Sequence, residues 1–243
     1  MQGSKADILA RLRKEILPLQ GYKHGANSIE ADAGLGPMKD AFPNGLFPVS
    51  AVHEFICNGK EDAAATGGFI LGILAALIKN EGIVLWISAS RTIYPPGLVL
   101  FGIAPEKIIF IDLPNEKYVL WAVEEALKCD GLSAVIGETV NLGFTASRRL
   151  QLAVEQSKVT GFILRHQIKN INTTACLTRW KITPLPGSFD NDLPGVGYPR
   201  WEISLLKVRN GKPGTWQLEW KEKRFRHIVH STPVITIPQK KTG

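Results

Sequence analysis

The residues best placed to do chemistry lie at the ends of two apolar runs. Val52-His-Glu-Phe-Ile56 leads through Gly59-Lys60-Glu61-Asp62-Ala63-Ala64-Ala65-Thr66 into a long apolar stretch, and Ala134-Val-Ile-Gly-Glu138 ends on a carboxylate. A strand, a glycine loop and a helix in that order hold nucleotide phosphates when the loop reads G-x-x-x-x-G-K-[ST]. The loop N–H groups then wrap the phosphates and the lysine neutralises their terminal oxygens. With Gly59 as the first glycine, Ala64 falls at the second, Ala65 at the lysine and Thr66 at the magnesium-binding hydroxyl. Lys60 stands too early to replace that lysine unless its side chain swings in, and Glu61 and Asp62 repel phosphate. The sequence points to a structural strand-to-helix turn capped by Thr66, with a degenerate nucleotide site made of Gly59, Lys60, Thr66 and Glu138 as the alternative. Glu138 by itself could order a magnesium-bound water, cap the following segment, or pair with Arg148 or Arg149.

Cations form the second constellation. Arg148 and Arg149 fall near the start of an expected helix, where a positive charge opposes the helix dipole and calls for an anionic neighbour. DNA phosphate and the carboxylates Glu124, Glu125 and Glu138 are both open as that neighbour. The connection from His166 to Arg179 is polar and carries Lys169 and Arg179, so it is either a contact to a nucleic-acid backbone or a plain surface connection. Further on, Arg179-Trp180-Lys181, Arg200-Trp201, Lys207, Arg209 and Lys212, and then Lys221, Lys223, Arg224 and Arg226 around Trp220 and Phe225, interleave cations with rings. Such a surface can track single-stranded DNA. Tryptophans on alternating strands belong more often to the core, and Trp201 and Trp216 are expected to pack inward. His53 is expected to be a hydrogen-bonded structural residue, and no serine or cysteine nucleophile with a histidine and acid partner stands out.

The elements that must position these groups are legible from periodicity. Residues 50 to 165 alternate short β-rich runs (Val52–Ile56, Ile83–Ile87, Lys107–Leu113, Ser133–Ile136, Gly161–Leu164) with helix-length segments (Gly67–Lys79, Glu116–Lys128, Thr145–Lys158). That is the pattern of βαβ units and a parallel sheet covered on both faces. After Arg165 the helical period ends. Thr178–Pro184 is a candidate strand, a Pro/Gly-rich loop follows to Pro199, and two further strands flank Asn210-Gly211, a hairpin signal. In Thr215–Lys221 the alternation of Trp216, Leu218 and Trp220 with polar residues gives one core-bound face. At the N-terminus, Ile8, Leu9, Leu12 and Ile16 share one face of a helix over Lys5–Leu17 that Pro18 stops. The expected organisation is an N-terminal helix and irregular arm over residues 1–48, an α/β core over 49–165 and a basic β-rich extension over 166–243 packed on that core.

Composition agrees with an intracellular binding protein. The 243 residues carry a formal charge of +7. Residues 1–147 hold 12 basic and 16 acidic groups, whereas 148–243 hold 17 and 6, so the positive charge belongs to the last third. An anionic partner suits that third. Cys57, Cys129 and Cys176 are far apart, without metal-ligand spacing or a disulfide framework, which suggests a reducing cytosol and no metal. The most apolar stretch, Phe69–Ile78, is too short to span a bilayer, and the first residues lack a secretory signal.

Taken together, Val52-His-Glu-Phe55, Gly82-Ile-Val-Leu-Trp-Ile87, Tyr94-Pro-Pro-Gly97, Trp121-Ala-Val-Glu-Glu-Ala126, Ala134-Val-Ile-Gly-Glu138 and Thr145-Ala-Ser-Arg-Arg-Leu-Gln-Leu-Ala153 resemble the ImuA family of RecA-like accessory proteins. Thr178-Arg-Trp180, Pro199-Arg-Trp201 and Gly211-Lys-Pro-Gly-Thr-Trp216 extend the resemblance, which covers residues 46 to about 221. It implies a RecA-like fold without a working ATPase or cofactor, induced in the SOS response and acting in error-prone translesion repair. The implied partners are ImuB, an inactive Y-family polymerase, and an error-prone replicative-type polymerase, with RecA and single-stranded DNA as further candidates. Arg148, Arg149 and the 166–179 connection fall where RecA-like folds present DNA-facing loops. Where RecA has its Walker lysine and glutamate, this chain has Ala65 and, near the second position, Ser90. Two other readings stay open: a DNA-dependent ATPase in which Lys60 or a partner supplies the cation, and a cell-division inhibitor of the SulA kind.

Overall fold

The computed structural model describes residue 12 and residues 35–43, 45–78, 82–91, 93–168, 170–188 and 197–228. The helix expected over Lys5–Leu17 (Leu12 apart), the tail from Ser231 and Lys169 lie outside the described residues. The elements are β1 (Val52–Cys57), α1 (Lys60–Leu77), β2 (Ile83–Ser88), β3 (Ile108–Asp112), α2 (Glu116–Leu127), β4 (Leu132–Thr139), α3 (Phe144–Ser157), β5 (Thr160–His166), β6 (Thr178–Ser188), β7 (Tyr198–Val208), β8 (Gly214–Lys221) and β9 (Arg224–His227).

All nine strands join one sheet in the order β3-β2-β4-β5-β1-β6-β7-β8-β9. From β3 to β6 the neighbours are parallel, and from β6 to β9 they are antiparallel. The expected boundary at 165/166 falls at the end of β5. Sheet hydrogen bonding runs straight through it, because β1 lies between β5 and β6.

Alternation along the strands sorts side chains onto two cores. Phe55, Trp86, Ile136, Phe162 and Trp180 face α1 and meet its Phe69, Ile70 and Leu74. Val52, Ile87, Val135 and Ile163 face the other way and meet Val119 and Val123 of α2 and Leu150 and Val154 of α3. Trp201, Leu218 and Trp220 are buried as expected, and Trp216 packs partly buried on the first core.

Two elements depart from the sequence reading. Helix α1 begins at Lys60, seven residues before Gly67, and its cap is Gly59 rather than Thr66. Ala63-Ala64-Ala65 are strong helix formers, Glu61 and Asp62 in the first turn complement the dipole, and Ala63 N–H already donates to Gly59 carbonyl at 3.0 Å. Strand β6 runs on through Pro184 and Pro186 to Ser188. Its pairing with β1 ends at Lys181. Beyond that point one side has no neighbouring strand among the described residues, so a residue without an N–H is tolerated there.

The β7–β8 hairpin forms at Asn210-Gly211 as expected, with Asn210 in the left-handed region at φ 57°. A Cβ on Gly211 would sit 2.2 Å from Ala41 carbonyl. Glycine there lets the turn lie against the 3-10 segment Gly36–Ala41, where Lys212 N–H donates to the same carbonyl at 2.9 Å.

Candidate functional site

Gly59, Lys60, Thr66 and Glu138 all come to the end of the sheet where β1 and β4 finish, but not as a phosphate cradle. Between β1 and α1 only Asn58 and Gly59 remain outside regular structure. The N–H groups from Ala63 onward are inside helix hydrogen bonding rather than free to wrap an anion. Asp62 Oδ2 accepts Asn58 N–H at 3.2 Å, setting a carboxylate at the loop. Ala65 and Thr66 are buried, and the Thr66 hydroxyl accepts the Cys57 thiol at 3.4 Å. Burial pushes that thiol up to about 11, so it stays protonated and donates. Lys60 is exposed at the start of the helix.

Glu138 is buried at 3% exposure. Its Oε1 accepts Trp86 Nε1–H at 2.6 Å, and its Oε2 lies 3.2 Å from His166 Nε2. Arg148 and Arg149 are not its partners. Trp86 sits on the adjacent strand β2 and His166 at the end of β5, two neighbours that only the sheet order brings together.

On the same face, Trp180 Nε1–H donates to Thr178 Oγ1 at 2.6 Å, and the Thr178 hydroxyl lies 2.7 Å from His53 Nδ1. His53 Nε2 lies 2.8 Å from Pro48 carbonyl, which can only accept. The proton is therefore on Nε2, and the Thr178 hydroxyl donates to Nδ1. Burial lowers the His53 pKa to about 3, so the ring is neutral, the structural residue that the sequence suggested.

The opposite face holds a charged cluster. Glu54, fully buried in β1, accepts Arg165 Nη1 at 2.7 Å on Oε1, and Arg179 Nε at 2.9 Å and the Thr174 hydroxyl at 2.7 Å on Oε2. Arg165 and Arg179 come from β5 and β6, the two neighbours of β1, on the face that Glu54 shares. The 167–177 connection crosses over this cluster. Asn172 accepts Arg165 on its side-chain oxygen at 2.9 Å and Arg179 on its carbonyl at 2.7 Å. Asn172 Nδ2 donates to Leu142 carbonyl, and Ala175 N–H to Ser147 Oγ of α3. Lys207 Nζ donates to Thr174 carbonyl at 2.8 Å, and Arg209 Nη2 to Ala175 carbonyl at 3.1 Å. Burial, with Arg179 beside it, lowers the Lys207 pKa. Three sequence candidates, Arg179, Lys207 and Arg209, thus converge on the inner side of this crossover. Sequence reasoning passed over Glu54 and Arg165. The available signal was a carboxylate inside an apolar strand, which must meet a cation or a set of donors when buried.

The other cations are spread over separate surfaces. Arg149 makes a two-point ion pair with Glu124 of α2, its Nε 3.1 Å from Oε1, which is one of the neighbours the sequence offered. Arg148 is exposed and has no ion pair among the described residues. Lys181 is half-buried. Arg200 pairs with Glu219 at 2.7 Å. Lys221 Nζ lies 4.5 Å from the Tyr198 ring centre. Lys223 is exposed in the β8–β9 turn, and Arg224 and Arg226 both pair with Glu222.

The class follows from the sheet and its helices. The structure is similar to the crystal structure of the RadB recombinase at a TM-score of 0.55 and 12% identity, covering 78% of this chain and 96% of that one. The fold is RecA-like, a parallel sheet flanked by helices and extended by antiparallel strands. No protein-family model matches the chain. Protein ImuA of Caulobacter vibrioides strain NA1000 is 31% identical over 193 residues, 74% of this chain and 79% of that protein, and ImuA of a second strain gives the same figures. Cell division inhibitor SulA of Photorhabdus laumondii is 28% identical over 111 residues, 44% of this chain and 63% of SulA. The chain belongs to the ImuA family.

Proposed function

We propose that the chain is a non-catalytic RecA-like adaptor in SOS-induced mutagenic translesion DNA synthesis and repair. In this reading it bridges ImuB and an error-prone replicative-type polymerase, engages RecA or single-stranded DNA, and works in the cytoplasm at the nucleoid. Family membership and the RecA-like fold support the pathway. No helix among the described residues is long and apolar enough to cross a membrane.

The observation that carries the non-catalytic part is the start of α1 at Lys60. A phosphate site needs free N–H groups converging on one anion and a cation beside them. Here the N–H groups from Ala63 onward are taken up by the helix, Glu61 and Asp62 put negative charge in its first turn, alanine stands in the lysine position, the threonine hydroxyl is buried, and Glu138 is held by Trp86 and His166. The test is fluorescent ATP binding and ATP hydrolysis with magnesium, with and without single-stranded DNA, beside capture of purified ImuB. ImuB capture without nucleotide binding or turnover is expected. Hydrolysis abolished by Glu138→Gln would overturn the non-catalytic part and establish the DNA-dependent ATPase instead.

The match to SulA favours a second reading, a cell-division inhibitor. Binding to the tubulin-like division protein, in the absence of ImuB binding, would select it.

A further inference from the structure

A cleft of about 670 Å³ opens beside the first turns of α1, on a side of the helix that neither buried polar cluster uses. Its floor is Ala64, Ala65 and Gly68, and its walls are Phe101, from the 3-10 segment Pro95–Phe101, and Trp201 of β7. The position that a phosphate-binding loop would give to lysine is therefore a small apolar patch at the base of a groove. Tyr94 and Leu100 also line it while remaining 73% exposed, and Val99 next to Leu100 is 60% exposed. Large apolar side chains standing in water around a concave apolar floor mark a binding surface. A small polar metabolite needs several convergent polar groups, and this lining offers few.

Among the described residues, two charged side chains reach the cleft, Glu61 and Arg200. Arg200 is neutralised by Glu219 at 2.7 Å. Glu61 has no ion pair among the described residues, so among them the uncompensated charge at the groove is negative.

We propose that this cleft docks a peptide segment of a protein partner, which inserts large apolar side chains against Ala64, Phe101 and Trp201 and sets a lysine or arginine beside Glu61. The exposed rim of Tyr94, Val99 and Leu100 extends the contact beyond the cavity, as a chain segment requires and a small molecule does not. That the occupant is a protein rests on the adaptor reading; the shape and charge of the groove do not.

The test pans a display library of random dodecapeptides on the full chain and on two variants. Ala64→Trp fills the groove from an exposed helix position, and Glu61→Lys inverts its charge. Wild type should enrich peptides that combine Leu, Phe or Trp with Lys or Arg. Enrichment should fall at least tenfold on Ala64→Trp, and Glu61→Lys should select acidic residues instead. Leu100→Asp, at an exposed position, repeats the loss should Ala64→Trp melt early. Equal enrichment on wild type and Ala64→Trp, acidic peptides on wild type, or no enrichment at all would each overturn the proposal. Competition by a peptide of residues 5–17, whose Ile8, Leu9 and Leu12 lie among Arg11, Arg13 and Lys14, would make the occupant this chain's own segment and equally overturn it. ImuB capture read in parallel separates the two readings: its failure on wild type sinks the adaptor while leaving the peptide selection to stand or fall by itself.

Discussion

The two faces of the sheet bury polar groups in opposite ways. Under α1, the indoles of Trp86 and Trp180 donate to Glu138 and Thr178, Glu138 also lies against His166, and the Thr178 hydroxyl donates to His53. Under the crossover, Glu54 is satisfied by two guanidinium groups and a hydroxyl. Strands β1 and β6 contribute to both arrangements, since His53 and Glu54, like Thr178 and Arg179, are consecutive residues that alternation sends to opposite sides. The difference teaches which acid is structural. Glu54 fastens β5, β1, β6 and the overlying connection into one unit, so that connection cannot serve as a loose loop along its whole length. Glu138 ends β4, where its carboxylate was open to ordering a magnesium-bound water, yet its oxygens are turned to Trp86 and His166.

The largest expected effect breaks the charged face. Glu54→Ala leaves the buried Arg165 and the mostly covered Arg179 without their counter-ion and should cost about 3–5 kcal/mol in urea unfolding. A cost under about 1 kcal/mol would mean that the arginines find water and that the crossover is not fastened by charge. Proteolysis within 167–177 should accelerate in parallel.

Next comes a pH effect on the face under α1. His53 titrates near its ordinary 6.5 when unfolded and at about 3 when folded, so between those values the unfolded chain binds a proton that the native one refuses. Its contribution is complete above pH 6.5 and is lost as the pH falls toward 3. Between pH 6.5 and 5 the loss should reach about 2 kcal/mol, and His53→Gln should flatten that part of the curve. An unchanged slope in the variant would remove His53 as the source.

Glu138→Gln keeps the shape and an acceptor for Trp86, so it should cost only about 1 kcal/mol, well below Glu54→Ala. A cost equal to that of Glu54→Ala would erase the distinction between the faces. Smallest is the surface pair on α2 and α3. Arg149→Ala should lose no more than about 1 kcal/mol, and Arg148→Ala should stay within about 0.5 kcal/mol. If these arginines meet DNA, fluorescence anisotropy with single-stranded DNA should show weaker binding and a shallower salt slope in Arg148→Ala/Arg149→Ala. Unchanged anisotropy would assign Arg149 to Glu124 alone.

Strand and helix order was largely legible because apolar periodicity is local. The runs at Val52, Ile83 and Ala134 read as strands and form strands, and Asn210-Gly211 reads as a turn and makes one. The missing lysine at Ala65 was legible too, because a motif is a matter of spacing. Less legible was the start of α1: the helix was expected from Gly67 behind a Thr66 cap, but Ala63-Ala64-Ala65, with Glu61 and Asp62 before them, bring its first turn back to Lys60. The partners of the charged groups were legible only in part. Glu124 was among the neighbours foreseen for Arg149, whereas Trp86 and His166 were not foreseen for Glu138, nor Arg165 and Arg179 for Glu54.

What the sequence determined by itself is the alternation of β and α segments, the absence of a complete phosphate-binding motif and the concentration of positive charge after residue 147. Each depends on residues near one another in the chain. The tertiary structure alone decided that β1 sits between β5 and β6, and hence that Glu54 meets arginines 111 and 125 residues away while Glu138 meets an indole 52 residues back. Sheet order is a long-range choice made by packing two cores at once, and no local pattern encodes which strand will be a given strand's neighbour.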